Sequence, residues 1–401
     1  MSITASHLSQ VKPSAVSVIT EKSNQLEREG QTIIRLSAGE PDFGTPDHIK
    51  MAGIKALAEG KTGYPAVQGV FELREAVCRK LKRDNSLSYT PEEIVIGCGC
   101  KQVLFNAMAA TLNPGDEVIL PTPYWISYPN MVGINRGLPV FAATCQENRF
   151  KLTCEDLEQA ITPRTRWLFI NNPGNPSGAV YSEKELIALA EVLRKHPHVW
   201  ILCDDIYEFL VYDQARFLTL PQIAPDLKSR TLVVNGVSKA YAMTGWRVGY
   251  GAGPKELIKT MFKIQSQSTS GTSSISQWAS IEALDGDHSF IEKNIHELKR
   301  RRDVVVSLLN QVEGLSCESP EGAFYCYISC KGVIGKKTPK GKTIASDLDF
   351  STFLLEECGV AVVHGEAFGL SPYFRISFAT KMELLESGCR KIADACRLLK
   401  D

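Results

Sequence analysis

Between Ile94 and Gly253 the chain carries a series of short, nearly uninterrupted apolar runs: IVIG, EVILP, LPVFAA, RWLFIN, HVWILCD, TLVVNG and RVGYGAG. Each is bounded by Gly, Pro, Asn or Asp and separated from the next by a helix-length segment or a loop. Runs without polar alternation read as strands buried on both faces, and their spacing reads as a mainly parallel sheet in an α/β region. After about Ile291 the pattern changes. A long charged helix is expected around ELKRRRD, then a strand at AFYCYIS, a second at YFRISFA and a final helix, which together read as a smaller α+β unit. Between those strands KGVIGKKTPKGKT, residues 331–343, is expected to be an exposed loop, because so many lysines and glycines resist burial. The chain has no internal repeat and no low-complexity tract.

Composition narrows the class without naming a chemistry. The 401 residues, 44% hydrophobic and 22% charged, suffice for one large or two medium domains. Lys plus Arg equals Asp plus Glu at 45 each, so bulk charge advertises neither nucleic acid nor an acidic membrane as a partner. The opening MSITASHLSQVKPS lacks a basic segment followed by an apolar run, and no later stretch is long enough to cross a bilayer, which leads us to expect a soluble, cytoplasmic protein. Twelve cysteines scattered through apolar segments read as reduced thiols packed as small hydrophobes. Cys98 and Cys100 are too close for a zinc pair of the usual spacing, and no metal site is expected.

Four segments carry candidate chemistry. In SKAYAMTGWRVGY, Lys239 sits just beyond the run TLVVNG, with Arg247 eight residues later. A lysine becomes a useful amine nucleophile when desolvation or a neighbouring cation lowers its pKa; a lone lysine after a strand is otherwise a surface residue. In DDIYEF, Asp204 leaves the carboxyl end of a buried strand and Tyr207 follows, so both can face the crevice where open α/β sheets bind ligands. An aspartate there also serves as a helix cap, a role open to Asp205 as well. GCGCKQ, from Gly97, is a glycine-rich turn before a helix starting near Lys101, where backbone N–H groups and the helix dipole favour an anion such as phosphate. NNPGNPSG, residues 171–178, can hold the Asn175 amide rigidly over a ligand or act as a simple turn.

Taken in order, GEPDF, YPAVQG, the glycine turn, PYW, NNPGNPSG, DDIY, SKAYAMTGWR and FRIS resemble the class I pyridoxal phosphate (PLP) aminotransferases of fold type I, from about Lys12 to Arg375 and into the last helix. The resemblance implies a three-layer, mainly parallel seven-stranded sheet in a large domain spanning 47–290. It further implies a small C-terminal α+β domain spanning 291–401, joined by the N-terminal segment 1–46. It implies Lys239 as the Schiff-base lysine and proton shuttle, Asp204 at the pyridine nitrogen, Tyr207 and Asn175 at the phenolic oxygen, and Trp125 stacked on the ring. Gly99, Cys100 and Lys101 would lie at the phosphate turn, with Arg247 as a phosphate ligand. Arg375 would clamp the substrate α-carboxylate, as suits a planar bidentate donor, with Gly39 as a backbone contact. Tyr64 would reach the phosphate across a subunit boundary, which implies a homodimer. One departure is Gly236, where many relatives carry a phosphate-binding serine; Ser238 is the candidate substitute.

Within that family the chain is similar to the bacterial aspartate aminotransferase branch. By that resemblance Lys101 would bind a distal carboxylate, and Lys12 in VKPSA would lie on a segment that in this branch covers the substrate. The expected activity is transfer of the amino group of L-aspartate to 2-oxoglutarate by a ping-pong mechanism. Prephenate or aromatic amino acid transamination is the alternative, since prephenate also carries a second carboxylate. A PLP-dependent lyase or a PLP-binding regulator are rival uses of the scaffold.

Overall fold

The computed structural model describes residues 3–9 and 11–400; residues 1, 2, 10 and 401 of the expected end segments lie outside the described residues. Helix α1 (Ala15–Arg28) and strand β1 (Ile34–Arg35) precede α2 (Asp47–Ala58) and α3 (Phe71–Asn85). Strands and helices then alternate: β2 (Ile94–Gly97), α4 (Cys100–Thr111), β3 (Glu117–Pro121), α5 (Tyr128–Ile134), β4 (Leu138–Ala142) and α6 (Cys154–Ala160). The series continues with β5 (Thr165–Asn171), α7 (Glu183–Lys195), β6 (Trp200–Asp204), α8 (Leu220–Ile223), β7 (Thr231–Gly236) and β8 (Gly249–Ala252). Helices α9 (Lys255–Ser266), α10 (Ser274–Asp285) and α11 (Ser289–Leu309) follow. The last part holds β9 (Ser316–Cys317), β10 (Tyr325–Ser329), α12 (Asp347–Glu356), β11 (Val360–Ala361), β12 (Val363–His364), β13 (Tyr373–Ser377) and α13 (Met382–Leu398).

All seven apolar runs are strands of one sheet, ordered β2-β8-β7-β6-β5-β3-β4. Every pairing is parallel except the two made by β8. The runs are continuous because both faces are covered. Leu168, Ile201 and Val233 pack into one core, while Trp167, Leu202 and Val234 point to a second core against α4 and α9. The helices carry local start signals too. At α7, Ser182 accepts from the Glu185 backbone N–H while the Glu185 carboxylate accepts from that of Ser182, a reciprocal capping box.

The second sheet, ordered β12-β13-β10-β9, is antiparallel, and a third core fills the space between it and helices α11, α12 and α13. The N-terminal segment joins this unit through β1, which pairs in parallel with β11. Residues 331–343 are mostly exposed, as their composition predicts, although Val333 and Thr338 are buried. After β6 the chain turns without entering a helix, so neither Asp204 nor Asp205 serves as a helix cap.

Candidate active site

Five of the parallel or flanking strands end at one crevice. Asp204 is the last residue of β6, Asn171 the last of β5, and the turns after β2, β3 and β7 bring Cys100, Trp125 and Lys239 beside them. That is where an open α/β sheet binds ligands, outside the carboxyl ends of its strands. The crevice encloses about 600 Å³, and its wall includes Lys239, Asp204, Tyr207, Asn175, Trp125 and Arg375. Gly39, Cys100, Lys101, Ser238 and Arg247 also line it. Gly99 stands immediately behind, at the N-terminus of α4.

The lysine is half-buried, and its ammonium donates to the Gly39 carbonyl. Burial, the largest cause, brings its pKa down to about 8; the nearby Arg375 and Arg247 charges act in the same direction. Asp204 is buried. The Tyr128 hydroxyl donates to its Oδ2 at 2.6 Å, while Oδ1 has no hydrogen-bond partner among the described residues. Burial pushes the carboxyl up to about 6, against the pull of the Tyr128 hydrogen bond.

Arg375 is buried on β13. Nη1 donates to Asn175 Oδ1 at 3.0 Å and Nη2 to the Ser37 carbonyl at 2.8 Å, while Nε has no partner among the described residues. A guanidinium carries five N–H donors, so three hydrogens remain for an incoming carboxylate. Asn175 is fixed in turn by its backbone N–H, which donates to Asn171 Oδ1 at 2.8 Å, and Asn171 Nδ2 donates to the Asp204 carbonyl at 2.9 Å. The loop NNPGNPSG is thereby tied to the turn that carries Asp204 and Tyr207.

The glycine turn has the geometry of an anion cradle. Gly99 sits at φ +77°, and a Cβ there would lie 2.4 Å from Arg247 Nη2, so only glycine lets the guanidinium approach the helix start. Arg247 donates to the carbonyls of Thr244 and Cys98, at 2.9 and 3.3 Å. Gly236 also has a spatial reason. A Cβ at that position would meet the Val248 carbonyl, Gly249 and the Cys100 sulfur at 2.8 to 3.0 Å, so this turn has no room for a serine. Ser238 is buried on the cavity wall instead. Burial pushes the Cys100 thiol up, which leaves it a protonated packing group.

Two expected residues lie elsewhere. Lys12 lines a separate cavity of about 810 Å³ beneath the N-terminal segment, with its backbone N–H on Asn130 Oδ1 at 3.3 Å. Tyr64 is fully exposed, away from the crevice of its own chain. Lys101 is on the crevice wall, with Nζ 4.9 Å from the centre of the Trp125 ring. The structure also adds residues that the sequence reading missed, chiefly Tyr128 and Tyr325. Tyr128 lies three residues after Trp125 and opens α5, its backbone N–H donating to the Trp125 carbonyl at 2.9 Å across the turn between them. Tyr325 belongs to AFYCYIS, whose tyrosines alternate with Phe324, Cys326 and Ile328 and share a sheet face with Arg375.

Among the described residues no group of three or more His, Cys, Asp or Glu side chains could hold a metal ion, and no helix is long and apolar enough to cross a membrane.

The model of the family "Aminotransferase class I and II" matches residues 31–392. A probable aspartate/prephenate aminotransferase from Rhizobium leguminosarum bv. phaseoli is 54% identical over 400 residues, covering 100% of both chains. The aspartate aminotransferase of Rhizobium meliloti (strain 1021) is 54% identical, over 98% of this chain and 96% of that one. Among solved structures, an aspartate aminotransferase from Rhizobium meliloti superposes with a TM-score of 0.97 at 53% identity, covering 100% of each chain. That of Thermus thermophilus, solved with maleate, gives 0.92 at 40% identity over 98% of this chain and 100% of that one. With its crevice at the strand ends, its sheet order and a family match over most of its length, the chain belongs to the class I and II aminotransferases.

Proposed function

We propose that this chain moves the amino group of L-aspartate to 2-oxoglutarate, giving oxaloacetate and L-glutamate by a ping-pong cycle on pyridoxal 5′-phosphate. One observation carries the reading. A half-buried amine, a buried carboxylate with one free oxygen and a buried guanidinium with a free Nε converge on one cavity, with a further cation, Lys101, on its wall.

The residues present fit the cofactor. Asp204 Oδ1, buried without a partner, is suited to the ring nitrogen; the N-terminus of α4 at Gly99, Cys100 and Lys101, with Ser238 and Arg247, suits the phosphate. Tyr207 and the Asn175 amide nitrogen suit the phenolic oxygen, and Trp125 the ring face. When bound, the cofactor supplies an electron sink for the charge left on the substrate when a Cα–H bond breaks.

The other steps belong to the chain's own side chains. Arg375 grips the α-carboxylate through its free N–H groups, with the Gly39 backbone alongside. Lys101 offers a charge to the distal carboxylate, and Lys12 joins it if the N-terminal segment closes over the substrate. With both ends held, the Cα hydrogen is the bond presented to Lys239. Its Nζ, with a pKa near 8, is neutral in a useful fraction of molecules at neutral pH, so it can take the Cα proton and return it elsewhere on the conjugated system.

A second reading shares the site. Relatives at 54% identity from Cereibacter sphaeroides and Rhizobium leguminosarum carry the names aspartate/prephenate aminotransferase and probable aspartate/prephenate aminotransferase. Prephenate also has a second carboxylate for Lys101 to meet. Transamination of aspartate, prephenate, phenylalanine and alanine, each against a suitable oxo-acid or amino partner, decides. Turnover with alanine equal to that with aspartate would remove the dicarboxylate argument. Borohydride reduction that leaves no cofactor on Lys239 would remove the whole assignment.

We read the working unit as a homodimer. Met51, Ile54 and Leu57 on α2, and Phe71 and the fully exposed Tyr64 near it in sequence, are large apolar side chains left exposed, to be covered by a second copy, whose crevice Tyr64 would complete. The pairing of β1 with β11 supports grouping residues 1–46 with the small domain 291–401, beside a large domain of 47–290. Twelve unpaired thiols suit a cytoplasmic setting.

A further inference from the structure

Tyr207 and Tyr325 bring their hydroxyl oxygens to 2.8 Å, both side chains buried and both on the crevice wall. They come from different sheets, Tyr207 from the turn after β6 and Tyr325 from the start of β10, and their rings meet edge to face at 5.8 Å between centres. Burial pushes both phenols up, so each holds its proton through the neutral range. A phenol has one O–H to donate and lone pairs to accept with. If Tyr207 donates to Tyr325, its only hydrogen is used and none is left for a ligand. If Tyr325 donates, the Tyr207 hydrogen is free to point into the crevice.

The surroundings favour the second arrangement. The Arg375 guanidinium carbon lies 4.4 Å from the centre of the Tyr325 ring, and a cation over a phenol ring withdraws electron density and makes its O–H the better donor. Tyr325 Oη makes no other hydrogen bond among the described residues. The other charged groups facing the pair are Lys239, whose Nζ is 5.7 Å from the Tyr207 ring centre, and Asp204 at the end of β6, with Glu40 and Arg247 farther along the crevice.

We infer that Tyr325 is a positioning residue: its hydroxyl donates to that of Tyr207 and so commits the Tyr207 hydrogen to the phenolic oxygen of the cofactor. The inference rests on the pyridoxal phosphate reading above. Donation from Tyr325 polarises the Tyr207 O–H and strengthens its bond to an anionic oxygen. That bond stabilises the oxygen without the proton it shares with the lysine-bound nitrogen, so it lowers the pH at which this proton leaves.

The test is a pH titration of the visible absorption band of the purified, cofactor-loaded protein, with Tyr325→Phe, Tyr207→Phe and the double variant. Phenylalanine keeps the ring that packs on Phe324 at 4.7 Å and removes only the hydroxyl. Tyr325→Phe is expected to raise the midpoint by about half to one pH unit, the size of one neutral hydrogen bond. In the Tyr207→Phe background the same change should add nothing. An unmoved midpoint in Tyr325→Phe, or an equal shift in both backgrounds, overturns the inference and leaves the cofactor assignment standing. An unsubstituted protein with no visible band after loading overturns both.

Discussion

The Tyr128 hydroxyl occupies one oxygen of Asp204 at 2.6 Å and leaves the other buried and, among the described residues, unpartnered, so the carboxylate is aimed as well as held. Tyr128 is itself locked by edge-to-face contacts with Trp125 and Phe169. In Tyr128→Phe the rings stay and the aim is lost. Cofactor affinity is expected to fall by about 5- to 10-fold, the scale of one hydrogen bond to a charged group. Equilibrium dialysis of the apoprotein against PLP measures it; unchanged affinity would show that Asp204 is held by its backbone alone.

Lys239 sets a pH dependence that can be read before any turnover. With its pKa near 8, the amine is protonated below that value and neutral above it, and under the proposed assignment only the neutral form would bond to the cofactor aldehyde. The rate at which apoprotein recombines with PLP should therefore rise about tenfold per pH unit at low pH and level off above about 8. Stopped-flow absorbance gives the profile. A rate still climbing towards the ordinary lysine value would show that burial does not lower this amine.

Arg375→Lys keeps the charge and loses the fork. Asn175 Oδ1 and the Ser37 carbonyl each lose a donor, and the substrate carboxylate meets a single ammonium. The expected result is a fall of about 100-fold or more in kcat/KM for donor and acceptor alike, because both present an α-carboxylate to the same group. Cofactor absorbance should change little. A loss confined to one substrate would place the carboxylate elsewhere.

Gly99→Ala tests the cradle. The added methyl would stand 2.4 Å from Arg247 Nη2 on a backbone at φ +77°, so the guanidinium must withdraw from the helix start. Cofactor affinity is expected to drop by about tenfold or more while the fold persists. The same dialysis experiment checks it, and inorganic phosphate as a competitor should lose affinity in parallel.

Legibility in the sequence followed the physics of burial. Runs such as TLVVNG were readable as strands because both faces are covered, yet the same covering hid that β8 alone runs antiparallel, since direction leaves no trace in an apolar run. That Lys239, Asp204 and Asn175 share one crevice was readable because each stands at or just past a strand end, where chain order alone brings side chains together. Tyr128 and Tyr325 were not, because their value lies in contacts across 76 and 118 residues. Lys12 shows the converse: a motif placed it with the substrate, whereas its position depends on how the N-terminal segment lies over the crevice, and here it faces the neighbouring cavity.

The turn that carries Asp204 and Tyr207 is braced from beneath by a buried ion pair that no motif announced. Lys80 on α3 is fully buried and donates to Glu208 Oε1 and, at 2.7 Å, to Asn85 Oδ1. Asn85 donates to Glu208 Oε2 and Asn235 to Oε1, each at 2.7 Å. Glu208 follows Tyr207 directly and Asn235 lies on β7 four residues before Lys239, so one carboxylate ties the Tyr207 turn and the strand leading to Lys239 to α3. Lys80→Met removes the cation and strands a buried charge among amide donors, and a loss of about 3–5 kcal/mol is expected in denaturant unfolding. Adding Glu208→Gln to that variant removes the stranded charge, so it should recover part of the stability. It should not restore activity, because the turn has still lost the brace that fixes Tyr207. Full recovery of both would mean that the pair contributes only its charge balance, and no recovery of stability would mean that the contact of the Lys80 ammonium with the Phe209 ring, 5.1 Å from its centre, was the real loss.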